Sequence, residues 1–235
     1  GSKFIINNVN NNWADWDATD QRDTCANTPS PGAAGTSSCF NVRVEVCIAA
    51  GGVPREANCQ AKYSGVAKPE GLIQEYANAL RFGAFGYLNQ SGNDRSGGVL
   101  RSAMKSVGPL AATKTGVIAN DNREWNTTTG AIWGDPDPDD SLDSGVANSG
   151  VINYLNKFGY AAGYKGNDPV SELFYAAQRY MRGYALPNEY TNDLDAARRD
   201  GFPVITGNAL TRGNTRDPMI NTCQRNFMLA IGDIY

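Results

Sequence analysis

Four of the five cysteines lie within 35 residues, and this clustering constrains the fold more than any other feature of the sequence. Cys25, Cys39, Cys47 and Cys59 occupy a stretch rich in Asn, Ser, Pro and Gly. Because few apolar residues accompany them, a hydrophobic core cannot hold this stretch in place. Local disulfides are the economical explanation, and they indicate an oxidising compartment. We predict the pairs Cys25–Cys39 and Cys47–Cys59; the alternative is buried free thiols in a cytosolic protein.

The fifth cysteine, Cys223, follows Cys59 by 164 positions. We expect it to be a buried thiol, or to pair with a cysteine outside this chain. The sequence contains no C-x-x-C pair, which makes zinc and thioredoxin-type sites poor explanations for the cysteines.

Histidine is absent from the 235 residues. Its absence excludes Ser-His-Asp and Cys-His catalysis, and it excludes metal sites built on imidazole. Lys and Arg total 21 against 24 Asp and Glu, a net charge of −3. Because phosphate binding requires a basic face, this balance argues against a nucleic-acid partner.

Asn and Gly together are unusually frequent, with 24 and 26 residues, which indicates a loop-rich fold. The longest apolar runs fall short of the roughly 20 residues that cross a membrane, so we predict no membrane-spanning segment. Gly1 and Ser2 resemble a tag-cleavage scar, and a predicted buried strand runs almost to Tyr235. We therefore expect this chain to be a fragment of a longer protein.

The pattern along the chain predicts a loop-rich arm over residues 1–40 and an α/β domain over residues 41–235. Apolar spacing predicts helices at residues 69–81, 151–158 and 169–183, the last with Asp168 as its N-cap. Tyr154, Leu155 and Phe158 are expected to share one buried face of the second helix. It predicts strands at residues 40–46, 82–88, 202–206 and 227–231, and a hairpin turn at residues 92–98. Residues 105–143 lack clear periodicity and are interpreted as an inserted loop. Because strands alternate with amphipathic helices, the order favours a substantially parallel sheet.

The acidic run from Asp135 to Asp143 spaces carboxylates at alternating positions, as calcium loops do. Asp135, Asp137 and Asp139 are the calcium candidates. The run departs from an EF-hand, because its sixth position is Asp140 where that loop has Gly and prolines fill the gaps. A solvated acidic turn is the favoured interpretation, so we predict no metal site and no cofactor.

Two further groups could carry chemistry. Glu70, Glu75 and Glu124 could supply a glycosidase-type carboxylate pair, which needs no histidine, but no spacing singles out two of them. Trp13 and Trp16 resemble the stacking platforms of sugar-binding surfaces, and they equally suit a hydrophobic clasp that holds the arm. We favour the clasp and predict no catalytic residue.

Seven collinear motifs between residues 68 and 233 closely resemble the PilC/PilY family of type IV pilus biogenesis proteins and tip-associated adhesins. They are KPEGLIQEY (68–76), LRFGAFGYLN (80–89), GGVLR (97–101), NSGVINYLNKFG (148–159), DPVSELFYAAQRY (168–180), DGFPVI (200–205) and CQRNFMLAIGD (223–233). The segment VRVEVC (42–47) is similar to the family's cysteine-bearing strand.

This resemblance implies a von Willebrand factor A-like, Rossmann-type sheet with flanking helices and long loop insertions. It also implies adhesion and pilus assembly at the bacterial surface, with minor pilins and a host-cell or abiotic surface as partners. The Asp-x-Ser-x-Ser metal signature of von Willebrand A domains is absent, so no metal site is carried over. The rival class is a secreted carbohydrate-binding module or a carboxylate-dependent glycosidase.

Overall fold

A computed structural model describes most of the chain, and the statements below refer to those residues. They are residues 3–7, 12–14, 37–41, 46–49, 51–52, 54–88, 98–157, 169–191, 201–207 and 210–231. The chain divides into two compact units, Gly1–Cys59 and Gln60–Tyr235.

The first unit contains a three-stranded antiparallel sheet. Strand β1 (Lys3–Asn7) lies between β2 (Asn12–Ala14) and β3 (Ser37–Asn41). The predicted strand at residues 40–46 overlaps the end of β3 at Phe40 and Asn41, and Val46 lies outside any strand. Residues 42–45 of that prediction lie outside the described residues. The predicted Cys25–Cys39 bond lies outside the described side chains.

The second unit opens with β4 (Cys59–Tyr63), which begins at the boundary, and continues with β5 (Val66–Pro69) and the single helical turn α1 (Leu72–Glu75). The predicted helix to residue 81 is wrong. Leu72, Tyr76 and Leu80, which would share one helical face, are exposed. Only Ile73 and Ala77 of this segment pack into the core, and so narrow an apolar contact gains too little to extend the helix.

The centre of this unit is the antiparallel pair β6 (Phe82–Tyr87) and β7 (Gly98–Lys105). On the other side of β7, Leu100 forms a single antiparallel bridge to Ile205. The predicted strand at residues 202–206 is therefore reduced to one bridge, although Phe202, Val204 and Ile205 are buried as expected.

Two helices pack against this pair at glycines. On α3 (Val151–Lys157), the Tyr154 hydroxyl lies 1.7 Å from where a Cβ on Gly86 would be. On α4 (Val170–Met181), Leu173 lies close to Gly98 in the same way, with its Cα 2.4 Å from the position of an added Cβ. The absence of a side chain at these two positions lets the helices contact the strand backbones.

Helices α3 and α4 lie where they were predicted. The burial of one side chain in α3 differs from the prediction. Tyr154 is buried and packs edge-on against Phe202, whereas Leu155, which we expected in the core, is half exposed. Adjacent helical residues point about 100° apart, so only one of the two faces the sheet. Asp168, the expected N-cap of α4, and Phe158 lie outside the described residues.

Residues 105–143 are not an unstructured insertion. They form the hairpin β8 (Leu110–Thr113) and β9 (Gly116–Ala119), and then the start of α2 (Pro138–Ser144). The Asn120 side chain donates to the carbonyls of Ser106 and Gly108, both at 2.7 Å. Polar side chains organise this segment, and apolar periodicity cannot reveal them.

The mixed α/β character is confirmed, but every strand register that the structure describes is antiparallel. The predicted parallel sheet is not found among the described strand pairs. The predicted strand at residues 227–231 is also wrong. Its backbone is irregular and the side chains of Phe227, Leu229 and Ile231 are exposed.

Candidate functional site

In the second unit, aspartates of the acidic run take part in two clusters of opposite charges. The first, here called the amine–carboxyl cluster, consists of Lys105, Glu124 and Asp137. The second, the guanidinium–carboxyl cluster, consists of Arg216, Asp140 and Asp143. Both attach α2 to other parts of the unit, and they differ in their chemistry.

Lys105 is the last residue of β7, and its ammonium group is surrounded by oxygens. The Nζ atom lies 3.3 Å from Glu124 Oε1, contacts Asp137 Oδ2 directly, and donates to the Asn122 carbonyl at 3.2 Å. The side chains of Lys105, Glu124 and Asp137 are only 16%, 0% and 9% exposed. The cluster is thus a largely dry contact between one amine and two carboxyl groups.

Glu124 also organises the start of α3. Its Oε1 and Oε2 accept the backbone N–H groups of Val151 and Ile152, each at 2.7 Å. A carboxylate at this position satisfies amides that have no partner within the helix, and it complements the helix dipole. Because both oxygens are occupied and fully buried, Glu124 is not open to a substrate as the glycosidase hypothesis requires.

Burial raises the pKa of the Asp137 carboxyl, and the nearby Lys105 ammonium only partly opposes this effect. The backbone N–H of Asp137 donates to Ser149 Oγ at 2.8 Å, which fixes the residue directly before α2. Pro138 follows as the first helical residue. Asp137 is therefore held rigidly beside Lys105.

The guanidinium–carboxyl cluster lies along α2, from Asp140 in its first turn to Asp143 in its last. Arg216 Nε donates to Asp140 Oδ1 at 2.6 Å, and Nη2 donates to Asp143 Oδ2 at 2.9 Å. Asp140 is buried, which raises the pKa of its carboxyl despite the neighbouring Arg216. Asp143 is 66% exposed. Tyr180 of α4 donates to the Arg216 carbonyl at 2.9 Å and so positions this arginine.

The calcium candidates do not converge on a common centre. Asp135 accepts hydrogen bonds from Ser141 and Ser149, Asp137 pairs with Lys105, and Asp139 is exposed. In the described part of the chain, one group of three acidic or sulfur ligands lies within 4.8 Å: Cys47, Glu56 and Cys59. Cys47 and Cys59 form a disulfide with Cα atoms 5.6 Å apart, so they offer no thiolate to a metal.

Glu56 supports that disulfide within the first unit. Its Oε2 accepts the Cys47 backbone N–H at 2.9 Å and lies 3.3 Å from Cys59 Sγ. The bond joins the pair that the sequence predicts. Cys223, by contrast, is a free and exposed thiol, so the expectation of a buried thiol is wrong. Its sequence surroundings resemble a buried strand, which the structure does not form.

An aromatic and basic face lies on α4 and the turn that follows it. The guanidinium of Arg179 lies 5.7 Å from the ring centres of both Tyr175 and Tyr184, and that of Arg182 lies 5.2 Å from Tyr184. Both tyrosines are about half exposed. A shallow cavity of about 360 Å³ adjoins them, between Tyr175, Arg179 and residues 185–189. Exposed Tyr and Arg side chains are enriched where proteins contact one another.

Other sequence candidates have local roles or are not described. Glu70 pairs with Lys62 at 2.8 Å and contacts the Tyr63 hydroxyl. The side chains of Trp13 and Trp16 lie outside the described residues, so the clasp and sugar-platform hypotheses stay predictions. Sequence reasoning missed Lys105 and Arg216, because each meets its carboxylates through long-range contacts that leave no motif.

In the described residues, no helix has the length and apolar character needed to cross a membrane. Neither a scan against protein-family models nor a search of solved structures gives a match. Among curated proteins, a Type IV pilus biogenesis factor PilY1 homolog from Xylella fastidiosa is 40% identical over 210 residues, which cover 83% of this chain. The chain spans only 16% of that relative's length. Over the stretch that it shares with this factor, the chain belongs to the PilC/PilY family of type IV pilus biogenesis proteins.

Proposed function

We propose that the chain is part of a tip-associated adhesin and assembly factor of type IV pili, which supports pilus biogenesis and attachment to host cells or abiotic surfaces. The observation that carries this proposal is the 40% identity over 83% of the chain with a pilus biogenesis factor. The chain corresponds to a small part of that relative. It therefore contributes one portion of the whole activity.

On this proposal the protein acts at the bacterial surface, at the pilus tip or outer membrane, with minor pilins as partners. It turns over no substrate and requires no cofactor in this region. The aromatic and basic face of α4 supports a contact role, since Tyr175, Arg179 and Tyr184 offer rigid aromatic area and charged hydrogen-bond donors.

A von Willebrand A-like body, and the division into an arm (residues 1–40) and a core (residues 41–235), belong to the same proposal. Family resemblance supports them, while the described strand registers are antiparallel. An experimental structure of a longer stretch of the protein would test both.

The test compares a core variant with a surface variant in the full-length protein at matched expression. Tyr154→Ala removes a buried ring, which typically costs about 3 to 5 kcal/mol, and should lower surface abundance and pilus number together. Tyr175→Ala with Arg179→Ala should leave abundance unchanged and reduce pilus number or adherence. Pili are counted by electron microscopy, and adherence is scored on cells and glass. Normal piliation despite loss of the protein from the surface would contradict the proposal.

A further inference from the structure

The amine–carboxyl cluster brings together the groups needed for a covalent reaction, in addition to forming an ion pair. Lys105 Nζ contacts the carboxyl of Asp137 directly, and Glu124 Oε1 lies 3.3 Å from the same nitrogen. A primary amine, a carboxyl group and a second carboxyl group thus meet in one largely buried place. The same three groups are what an intramolecular condensation needs: a nucleophile, an electrophile and a proton carrier.

We propose that Lys105 and Asp137 join covalently, through an amide between Lys105 Nζ and Asp137 Cγ, with Glu124 carrying the protons. The ammonium of Lys105 first gives one proton to the Asp137 carboxylate by way of Glu124, which leaves a neutral amine and a neutral carboxylic acid. The amine then attacks Cγ. Glu124 takes a proton from the nitrogen and delivers it to the departing hydroxyl, so one water molecule leaves and no oxidant or reductant is consumed.

The surroundings favour this reaction in three ways. The contact holds nucleophile and electrophile together, which replaces a bimolecular encounter by an intramolecular one. Burial raises the pKa of Asp137, which favours the protonated acid that loses hydroxide most readily. The low exposure of all three side chains limits the water that would reverse the reaction by hydrolysis.

The residue after Asp137 removes a competing reaction. Aspartyl side chains commonly cyclise onto the backbone nitrogen of the next residue, but here that residue is Pro138, which has no N–H. The carboxyl group therefore keeps Lys105 as its amine partner. Glu124, although also buried, is held in place by the amides of Val151 and Ile152, with its Oε1 atom 3.3 Å from Lys105 Nζ and so near the proton that the amine gives up.

The amide would tie the end of β7 to the start of α2 and close a loop across 32 positions. Unlike the Cys47–Cys59 bond in the first unit, this link is insensitive to reducing agents. It would fix the segment that carries the β8–β9 hairpin irrespective of redox conditions.

Mass spectrometry of the whole folded chain tests the proposal. After incubation at neutral pH, reduction and denaturation, the intact mass should be lower than the sequence mass by one water. Trypsin cuts after Lys and Arg, but it should fail at an acylated Lys105. Residues 102–114 should then appear uncut and linked to residues 124–157, and fragmentation should place the link between Lys105 and Asp137.

Three variants serve as controls. Lys105→Arg keeps the positive charge without a comparable nucleophile and should show the full mass, as should Asp137→Ala. Glu124→Gln, checked for folding by circular dichroism, should slow formation of the link by about a hundredfold or more.

The full mass in the folded wild-type chain after prolonged incubation would overturn the proposal. So would a water loss that maps elsewhere, for example to the Asp200-Gly201 step, where a succinimide can form. A water loss that persists in folded Lys105→Arg would have the same meaning.

Discussion

The two ion clusters that hold α2 resemble each other in burial and charge, yet they differ in what they can do. In each, a cation with about 16–17% of its side chain exposed meets an aspartate that is 9% exposed. The amine of Lys105 is a compact, titratable nucleophile, whereas the delocalised guanidinium of Arg216 remains protonated and forms fixed hydrogen bonds. The third member also differs, since Glu124 is fully buried and Asp143 is mostly in water.

The difference shows that burial alone does not assign a role to a salt bridge. The guanidinium–carboxyl cluster has the features of a structural clamp, with two well-aligned hydrogen bonds to different carboxylates. In the amine–carboxyl cluster, Glu124 likewise holds the start of α3. This cluster also places the amine of Lys105 against the carboxyl group of Asp137, with which we propose that it reacts. The predictions below separate these contributions.

The largest effect is expected for Glu124→Ala. The change leaves the backbone amides of Val151 and Ile152 without their buried acceptor and removes one of the two carboxylates beside the Lys105 ammonium, so the free energy of unfolding should fall by about 3 to 5 kcal/mol. Urea denaturation monitored by fluorescence measures it. The exposed Glu75→Ala is the matched control and should change stability by less than about 0.5 kcal/mol. A comparable loss for both would show that the buried position is unimportant.

Arg216→Ala should have the next largest effect. Asp140 would remain buried without its charged donor, at a cost of about 1 to 3 kcal/mol. Arg216→Lys restores charge but not the two-pronged geometry, so it should recover only part of the loss. It should also show no water loss beyond the one expected at Lys105, because the second carboxyl group beside residue 216, that of Asp143, is 66% exposed. Full recovery by lysine would indicate that charge alone matters here.

A smaller, pH-dependent effect is expected for Asp140→Asn. The folded-state pKa of Asp140 is raised above its ordinary value of 3.8, so its contribution to stability is full below that value and is lost as pH rises through the folded pKa. The stability difference between wild type and variant should therefore shift in favour of the variant as pH increases above 4. Denaturation at several pH values measures the slope. An advantage of wild type that grows with pH would contradict the assigned direction.

The smallest effect is expected for Asp143→Ala. Its carboxylate is 66% exposed and screened by water, so the ion pair with Arg216 should contribute at most about 0.5 kcal/mol. Thermal unfolding at low and high salt measures it. A loss above 1 kcal/mol would mean that the two hydrogen bonds of Arg216 act cooperatively.

Local patterns in the sequence were sufficient to predict some elements of the fold, but they could not predict the ion clusters. Strand β6 and helices α3 and α4 were predicted because each buries apolar residues at its own period. The two ion clusters were not predicted, because Lys105 and Asp137 are 32 positions apart in the sequence and Arg216 and Asp140 are 76 positions apart. The acidic run looked solvated because its cations come from distant segments. Helical spacing placed Tyr154 and Leu155 on one buried face, but Leu155 is half exposed, because adjacent helical residues point about 100° apart.

The bridge between Leu100 and Ile205 has a consequence for the order of events during synthesis. Ile205 follows Leu100 by about 100 residues, which a ribosome adds in roughly 5 to 20 s. During that interval, the edge of β7 that pairs with Ile205 has no partner. Val99 and Leu100 are fully buried in the finished fold, but residues 202–205 are not yet present to cover them. A nascent chain in this state exposes an apolar strand edge. Chaperone binding should therefore be strongest before residue 205 emerges and should decline once it has.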